Sequence, residues 1–465
     1  MKRKVLFLSL LLAIGSMVQA QTVRLSSHSM NTSVQKTIIR EYSYPATISY
    51  VETDHEHLFI YNDGHLMLTK VPINMNISVK DFEIMNDFVY FCGERSGTGL
   101  FGFFNVNDFF NVSQFYYITG STLSTTTSTV ATLNKLVVYT SNGNTELVAV
   151  GKTAGALECV AELQLYGTTG TYRVGELPTA TSLTEDILSI VQTDDYVVTG
   201  GYFHYFSLLP TFRVFDKTDL FATSGLQNTA VTSICGNITS CDFDDSQMLM
   251  KPAQGNQFLF ATYWKEYYNF HYMPNPDPDF KGTYIGLYEV DPSVLPTGTA
   301  VEWVDGYRIL HDYYNGGWKL RDMTQLNHSN GFYLLQEAEL PGISQIVSMV
   351  LEVPVPGSSI APGTTMVPAF YRSDNQYMSI GGYNNNQEYV MNGRMYSNMA
   401  KLLFCEKFTS QYNNCLLHVT WKTMGMFMSE KDNPFAFSVT SYTTMSIIHE
   451  TGGTVLNVST NNDCQ

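Results

Sequence analysis

The chain has 465 residues, of which 44% are hydrophobic, 13% aromatic and only 15% charged. This composition is typical of a globular protein with a large core, and it excludes a disordered or collagen-like chain. The formal net charge is -16, whereas nucleic-acid binding depends on clustered positive charge that releases counterions from the phosphates. We therefore expect no nucleic-acid partner.

Residues 1–20 have the pattern of a cleavable secretory signal peptide. Its parts are a basic start, an apolar run and a small-residue end, namely Lys2-Arg3-Lys4, Val5 to Ile14 and Val18-Gln19-Ala20. The apolar run is shorter than the roughly 20 residues of a membrane-spanning helix, and no later run is long enough, so we expect no transmembrane segment. Residues 21–465 are expected to form a single domain in the periplasm or outside the cell.

Two pairs among the seven cysteines are close in sequence. Cys235 and Cys241 bracket five residues, and Cys405 and Cys415 bracket a polar stretch, so each pair is a candidate disulfide that staples a surface loop. Cys92 lies in an apolar run, which predicts a buried thiol. Zinc-ligand spacings are absent from the sequence, and we expect neither a metal nor a cofactor.

Short runs rich in Val, Ile, Tyr, Phe and Thr predict β-strands along the whole chain, whereas windows with helical periodicity are scarce. The runs are Ile48 to Val51, His57 to Tyr61, Phe88 to Cys92, Leu136 to Thr140, Tyr196 to Thr199, Phe258 to Tyr263 and Gly331 to Leu335. Asn62-Asp63-Gly64 and Ser141-Asn142-Gly143 predict tight hairpin turns, which need positive φ angles.

A degenerate internal repeat accompanies these strands. Each copy has an apolar strand after a polar turn and a second strand that ends in acidic or amide residues, as in Phe82 to Gly93, Ile187 to Gly201 and Phe258 to Thr262 with their following segments. The copies finish at Phe110, Phe221 and near Leu295, so the first interval has room for two units of about 55 residues.

Four short antiparallel strands every 50 to 75 residues match a β-propeller better than a sandwich, because one blade cannot bury both of its faces alone. The length allows six to eight blades, and we expect seven. Three diglycines, Gly200-Gly201, Gly316-Gly317 and Gly381-Gly382, resemble the diglycine of kelch-type blades. The Tyr and Trp that follow it in kelch repeats are not consistently present. The chain also resembles secreted bacterial β-propeller proteins, which implies a scaffold for protein or glycan ligands.

The segment Tyr263 to Tyr272 is the densest aromatic segment that we assign to a surface loop. Tyr and Trp anchor many interfaces, so we predict that Trp264, Tyr267 and Tyr268 contact a ligand. The alternative is an insertion that covers the rim of the propeller.

A second candidate site combines aromatic and acidic residues. Trp303 and Trp318 lie near Glu302, Asp305, Asp312 and Asp322, and such mixtures suit a sugar, because rings stack on pyranose faces and carboxylates act as acid and base. The alternative is that these are blade-packing aromatics with acids in turns.

These observations favour a non-catalytic binding or scaffold protein that recognises a protein or a glycan. The alternatives are a carbohydrate-active enzyme, similar to a glycoside hydrolase, with carboxylates on one propeller face, and a structural surface protein. Three or more carboxylates that converge in a central funnel favour the enzyme, and a flat aromatic face favours partner binding.

Overall fold

A computed structural model describes the chain as strands and the turns between some of them. Side chains are described only within the range 77–335. The backbone is described for residues 24–28, 36–43, 46–53, 58–62, 67–71, 77–86, 88–105, 116–119, 129–166, 169–177, 184–204, 208–218, 220, 226–228, 241–266, 280–291, 300–310, 319–325, 331–339, 346–354, 368–372, 375–383, 388–395, 400–406, 420–424, 430–433, 445–449 and 455–458. Every regular element in these ranges is a β-strand, which confirms the all-β prediction.

The described strands form seven sheets, which we number in chain order. Sheet 1 contains β2 (Lys36–Ser43), β3 (Ala46–Thr53), β4 (Leu58–Asn62) and β5 (Met67–Val71). Sheet 2 contains β6 (Ile77–Met85), β7 (Phe88–Arg95), β8 (Thr98–Asn105) and β9 (Tyr116–Thr119). Sheet 3 contains β10 (Val130–Ser141), β11 (Asn144–Thr153), β12 (Glu158–Tyr166) and β13 (Thr169–Glu176).

The next three sheets repeat this plan. Sheet 4 contains β14 (Thr184–Gln192), β15 (Tyr196–His204), β16 (Leu208–Asp216) and β17 (Leu226–Asn228). Sheet 5 contains β18 (Cys241–Pro252), β19 (Gln257–Glu266), β20 (Phe280–Val290) and β21 (Val301–Leu310), extended by β31 (Met445–His449) and β32 (Val455–Val458). Sheet 6 contains β22 (Lys319–Gln325), β23 (Gly331–Glu339), β24 (Ile346–Pro354) and β25 (Pro368–Arg372).

Sheet 7 joins the two ends of the chain. It contains β26 (Asn375–Tyr383), β27 (Glu388–Met395) and β28 (Ala400–Glu406), followed by β1 (Arg24–His28), β29 (Thr420–Met424) and β30 (Glu430–Asn433). Strand β1 pairs antiparallel with β28 and parallel with β29. An early segment of the chain therefore supplies the fourth strand of the last sheet.

The first strands of the sheets contact one another in a closed cycle. Strands β2, β6, β10, β14, β18, β22 and β26 each contact the next, and β26 contacts β2. Four-stranded antiparallel sheets arranged around such a ring form a β-propeller, which confirms the predicted fold class. Seven sheets among the described strands agree with the blade number that we chose, which stays a prediction for the whole chain.

The local sequence predictions that fall on described residues agree with these elements, whereas Asp63 and Gly64 of the first predicted turn lie outside them. Each predicted strand run falls within a described strand, apart from His57, which lies outside the described residues. Asn142 and Gly143 form the two-residue turn between β10 and β11, with φ angles of 50° and 81°, and positive φ at both positions is what such a hairpin turn requires. Sheets 2, 3 and 4 begin at Ile77, Val130 and Thr184, so two units fill the first repeat interval.

A β-bulge near the middle of the first strand recurs in these three sheets. The pairing register shifts between Val79 and Asp81 in β6, between Leu133 and Lys135 in β10 and between Ile187 and Ser189 in β14. The residue opposite the bulge on the second strand is a glycine each time, namely Gly93, Gly151 and Gly201. A bulge bends its strand and increases the local twist, so it shapes each first strand along the ring.

The bulged backbone explains these glycines. A Cβ atom on Gly93, Gly151 or Gly201 would lie 2.0, 1.9 or 2.1 Å from a carbonyl oxygen of the bulged strand. No side chain fits at such distances. Gly201 belongs to one of the diglycines that we compared with kelch blades, and the crowding there comes from β14, the first strand of its own sheet.

The faces of neighbouring sheets cover one another with apolar side chains. Between sheets 4 and 5, the Phe212 ring lies 5.2 Å from that of Phe258 and 5.3 Å from those of Phe260 and Tyr288. All four rings are fully or almost fully buried. Burial of one such side chain contributes about 1.5 to 3 kcal/mol, so these contacts are the main attraction between blades. Similar clusters join sheet 2 to sheet 3 and sheet 3 to sheet 4.

Cys92 is buried in the cluster between sheets 2 and 3, as predicted, and its thiol lies 3.6 Å from the carbonyl oxygen of Leu133. Cys241 begins β18 and Cys405 lies in β28. Cys235 and Cys415 lie outside the described residues, so both disulfides stay predictions.

We predict that Gly151→Ala lowers the free energy of unfolding by about 3 kcal/mol, because the new methyl group forces the bulged backbone of β10 to move. Urea unfolding followed by tryptophan fluorescence measures this change. Gly97→Ala is the control. Gly97 has a φ of 75° with nothing within 4 Å of an added Cβ, so only backbone strain of about 1 kcal/mol applies. Equal losses in the two variants would contradict the role of the bulge.

Candidate functional site

A concavity lies at the centre of the ring. It has a volume of about 490 Å³ and is lined by the first strands of sheets 2 to 6. The lining residues lie at the bulges or beyond them along each strand. They fall within Asp81 to Met85 in β6, Lys135 to Tyr139 in β10, Leu188 to Gln192 in β14, Met248 to Pro252 in β18, and Arg321 with Asp322 in β22. We call it the central cavity.

Charged side chains are concentrated in the central cavity. Six of its 20 lining residues are charged, twice the 15% of the whole chain. The acids are Asp81, Glu83 and Asp322, and the bases are Lys135, Lys251 and Arg321. Polar groups that converge in a concave site are typical of ligand recognition.

Asp81 joins two blades. Its side chain is buried, Oδ1 accepts a hydrogen bond from the Phe82 N–H at 3.0 Å, and Oδ2 accepts one from the Leu136 N–H on β10 at 2.8 Å. These two hydrogen bonds compensate for the free energy that burying a carboxylate costs. Asp81 therefore stabilises the contact between the first strands of sheets 2 and 3.

Asp322 takes the corresponding place in sheet 6, directly after a bulge in β22. Its Oδ1 accepts a hydrogen bond from the Met323 N–H at 2.8 Å and lies 3.8 Å from Nζ of Lys251 on β18. The positive charge of Lys251 is thus partly balanced within the cavity wall.

The remaining charged groups are more accessible. Lys135 is exposed, whereas Glu83 and Arg321 are half-buried. The side chain of Lys135 is exposed and can reach a ligand, and its backbone is held by the pairing of β10 with β11. These three residues are the candidate ligand-contacting groups.

Lys217 fixes the turn beside the cavity rim. Its Nζ donates hydrogen bonds to the carbonyl oxygens of Thr193 and Asp194, in the turn between β14 and β15. It also lies 4.5 Å from the centre of the Tyr139 ring, a cation–π contact. Burial lowers the pKa of Lys217 and raises that of the Tyr139 hydroxyl, because burial penalises the charged form of each group.

Asn256 joins the same turn to sheet 5. Its Oδ1 accepts a hydrogen bond from the Asp195 N–H at 3.0 Å, and its Nδ2 donates one to Oδ2 of Asp195 at 3.0 Å. Asn256 lies in the turn between β18 and β19. The rim of the cavity is therefore cross-linked from sheet 3 to sheet 5.

The predicted aromatic loop needs a correction. Trp264 is paired with Phe243 and Gly282 inside β19, which continues to Glu266, and Tyr263 is buried. The assignment of Trp264 to Glu266 to a loop was wrong because the hairpin of β19 and β20 continues its pairing through these residues, where aromatic side chains fit a pleated sheet. Tyr267 and Tyr268 lie outside the described residues. The ligand role of Trp264, Tyr267 and Tyr268 is untested.

The second predicted site is divided between elements. Trp303, on β21, is half-buried, packs against the cluster between sheets 4 and 5 and donates a hydrogen bond from Nε1 to the Tyr284 hydroxyl at 3.0 Å. Asp305 on the same strand is buried, whereas Asp322 lies in the central cavity on β22. Glu302 is exposed, and Trp318 and Asp312 lie outside the described residues.

Four charged residues of the cavity were not predicted from the sequence, namely Glu83, Lys135, Lys251 and Arg321. A signal existed, since Asp81, Lys135 and Ser189 each follow a bulge and are spaced by 54 residues. An alignment of the repeat on its first strand, rather than on its acidic ending, brings these positions together.

Away from the cavity, a buried carboxylate lies between sheets 3 and 4. Lys152 Nζ lies 3.3 Å from Oε1 of Glu158 and 2.8 Å from Oδ1 of Asp186 on β14. Burial raises the pKa of Glu158 to about 7, although Lys152 opposes the change. Burial disfavours the ionised carboxylate more than the single ammonium favours it.

No helix in the described residues is long and apolar enough to cross a membrane. Within the same ranges, no three acidic, histidine or cysteine side chains are grouped so that they could hold a metal ion.

No family model matches the sequence, and no curated protein matches it either. Solved structures that it resembles include the β-propeller domain of Cps50 (Swd1) from Myceliophteria thermophila, with 8% identity, a TM-score of 0.43 and coverage of 81% of this chain and 98% of that chain. A chain titled as the mitotic checkpoint complex has 9% identity, a TM-score of 0.40 and coverage of 81% and 87%. YCF48 from Cyanidioschyzon merolae has 10% identity, a TM-score of 0.41 and coverage of 81% and 96%.

We predict that Asp81→Ala lowers the free energy of unfolding by about 1 to 3 kcal/mol, because two buried N–H groups lose their acceptor. Asp81→Asn keeps one acceptor oxygen and should lose less. Chemical denaturation measures both variants. An alanine variant as stable as the parent would show that the link between β6 and β10 is dispensable.

We predict that Glu158→Gln changes the pH dependence of stability. The folded-state pKa of about 7 exceeds the ordinary value of 4.5, so this group's stabilising contribution is complete below about pH 4.5 and is lost as the pH rises through about 7. The variant lacks this loss, and its stability relative to the parent should rise across that window by on the order of 3 kcal/mol. Thermal unfolding in a pH series tests this expectation, and parallel profiles would refute it.

Proposed function

We propose that the chain is a non-catalytic binding protein that accepts a segment of a protein partner in its central cavity. The observation that carries this proposal is the set of six charged side chains that four of the five lining first strands, β6, β10, β18 and β22, contribute to one cavity. Strands hold such groups more precisely than loops do, and the hydrogen bonds of Asp81, Lys217 and Asn256 reduce the motion of the wall and rim. A preorganised wall lowers the entropic cost of binding.

The lining favours a peptide over a glycan. Tyr139 is the one aromatic residue among the 20 that line the cavity, and it is buried beneath Lys217. Sugar sites commonly use an exposed aromatic face for stacking, whereas charged and aliphatic groups together suit an extended peptide. The cavity volume of about 490 Å³ is within the range of ordinary ligand sites.

The enzyme alternative has one observation in its favour, since three carboxylates line the cavity. Asp81 is engaged by two backbone N–H groups, and Asp322 accepts one such bond and faces Lys251. Glycoside hydrolysis needs one carboxyl group as acid and another as base or nucleophile. Asp81 and Asp322 are thus engaged in holding the cavity wall, so binding is the better proposal.

The signal-like residues 1–20 support a place outside the cytoplasm for this binding function. In that setting the partner is another exported or surface-located protein. The predicted disulfides Cys235 to Cys241 and Cys405 to Cys415 suit the same oxidising environment.

Selection of displayed random dodecapeptides on the purified full-length protein tests the proposal. Lys135→Trp places a large side chain in the cavity and should weaken binding of the selected peptides at least about tenfold, because the ring occupies their volume. Thr140→Trp is the control, because Thr140 is exposed on the same strand but does not line the cavity. Fluorescence anisotropy gives the dissociation constants.

Failure to enrich any peptide, or equal weakening by both tryptophan variants, would contradict a peptide site in the cavity. A parallel incubation with polysaccharides tests the enzyme alternative. Release of reducing ends that Glu83→Gln abolishes would replace the binding proposal with hydrolysis.

A further inference from the structure

The central cavity differs in charge from the molecule around it. The whole chain has 26 basic and 42 acidic residues, whereas the cavity lining has three of each. Cavity walls have a low dielectric constant and concentrate the field of the groups that line them. The sign of the accessible groups therefore decides which ligand charge is favoured.

The most accessible charged group of the cavity is a base. Lys135 is exposed, and the side chain of Lys251 is 34% exposed against 18% for Asp322. Asp81 is buried, and both of its carboxylate oxygens accept backbone hydrogen bonds. Glu83 and Arg321 are both half-buried and opposite in charge, and Lys251 faces Asp322, so Lys135 is the charged group most open to a ligand.

The backbone holds these cations in defined places. Lys135 directly follows the bulge of β10, and Arg321 lies at the bulge of β22. Lys251 lies on β18. The positive groups therefore come from three different blades, which allows them to surround a ligand rather than line one side of it.

We propose that the central cavity binds an acidic peptide segment, with Lys135 and Arg321 contacting its side-chain or terminal carboxylates. This inference rests on the proposed function and adds the charge of the partner. Charge-assisted hydrogen bonds between such cations and carboxylates are stronger than neutral ones, and Arg can bind a carboxylate through two N–H groups.

The acidic composition of the rest of the chain adds selectivity. A net charge of -16 repels an acidic segment from most of the surface, so binding elsewhere is disfavoured. The repulsion also slows encounter at low ionic strength, while added salt screens both effects. We therefore expect an acidic peptide to associate with a modest rate constant and to bind in the central cavity rather than elsewhere on the surface.

Three labelled hexapeptides of matched length test the proposal, one rich in Glu, one rich in Gln and one rich in Lys. Fluorescence anisotropy with the full-length protein should show the Glu peptide binding at least about tenfold more tightly than the Gln peptide, because each charge-assisted hydrogen bond is worth about that factor. The Lys peptide should bind most weakly. Lys135→Gln should weaken the Glu peptide about tenfold, and Lys135→Arg should retain its binding.

Lys80→Gln is the matched control. Lys80 is the bulge residue of β6, does not line the cavity and lies 3.8 Å from Glu94 in a partly exposed ion pair. The Lys80→Gln substitution removes one positive charge from β6, the first strand next to β10. Unchanged binding of the Glu peptide by this variant, with a loss for Lys135→Gln, assigns the effect to the cavity.

The outcomes separate this inference from the proposed function. Equal binding of the Glu and Gln peptides, or tighter binding of the Lys peptide, overturns the acidic preference and leaves peptide binding intact. Tighter binding of a uronic acid oligosaccharide than of the Glu peptide, with the same dependence on Lys135, overturns the peptide as ligand. If neither these probes nor peptides from the display selection bind, the proposed function falls as well.

Discussion

The constraint on which the rest of this structure depends is that every first strand must contact two others around the ring while its own sheet stays paired. Six of the seven first strands, β6, β10, β14, β18, β22 and β26, have a bulge or register irregularity in their pairing with the second strand, whereas the described pairing of β2 with β3 has none. Each bulge adds local twist without ending the strand. In sheets 2 to 4 the bulged backbone approaches the second strand so closely that only glycine fits opposite. The fold therefore requires glycine at positions 93, 151 and 201.

The bulge also links the fold to the cavity. Side chains alternate across a strand, and the extra residue changes which side chain meets the neighbouring blade. The position after the bulge is Asp81 in β6, Lys135 in β10, Ser189 in β14 and Asp322 in β22. All four line the cavity, so one structural position serves different purposes in different blades.

The sequence supported prediction of features that depend on short segments. Strand runs, the Asn142-Gly143 turn and the buried Cys92 follow from local patterns of apolar and turn residues. The cavity was missed because its residues lie on five strands, from Asp81 to Asp322, and only ring closure brings them together. Trp264 was placed in a loop because dense aromatic residues suit both a strand and an exposed site, and cross-strand pairing decides between them.

Asp81 and Lys135 occupy the same position after the bulge of their first strands but differ in burial and in hydrogen bonding. The Asp81 carboxylate accepts a hydrogen bond from the Leu136 N–H of the next strand, whereas a lysine has no acceptor for such a bond, and Lys135 is exposed. Asp81 is buried and Lys135 stays exposed, so a cavity with equal numbers of acids and bases has a cation as its most accessible charged group. Formal charge alone is therefore a poor guide to what this cavity binds, and the hydrogen bonds that already engage its acids must be subtracted first.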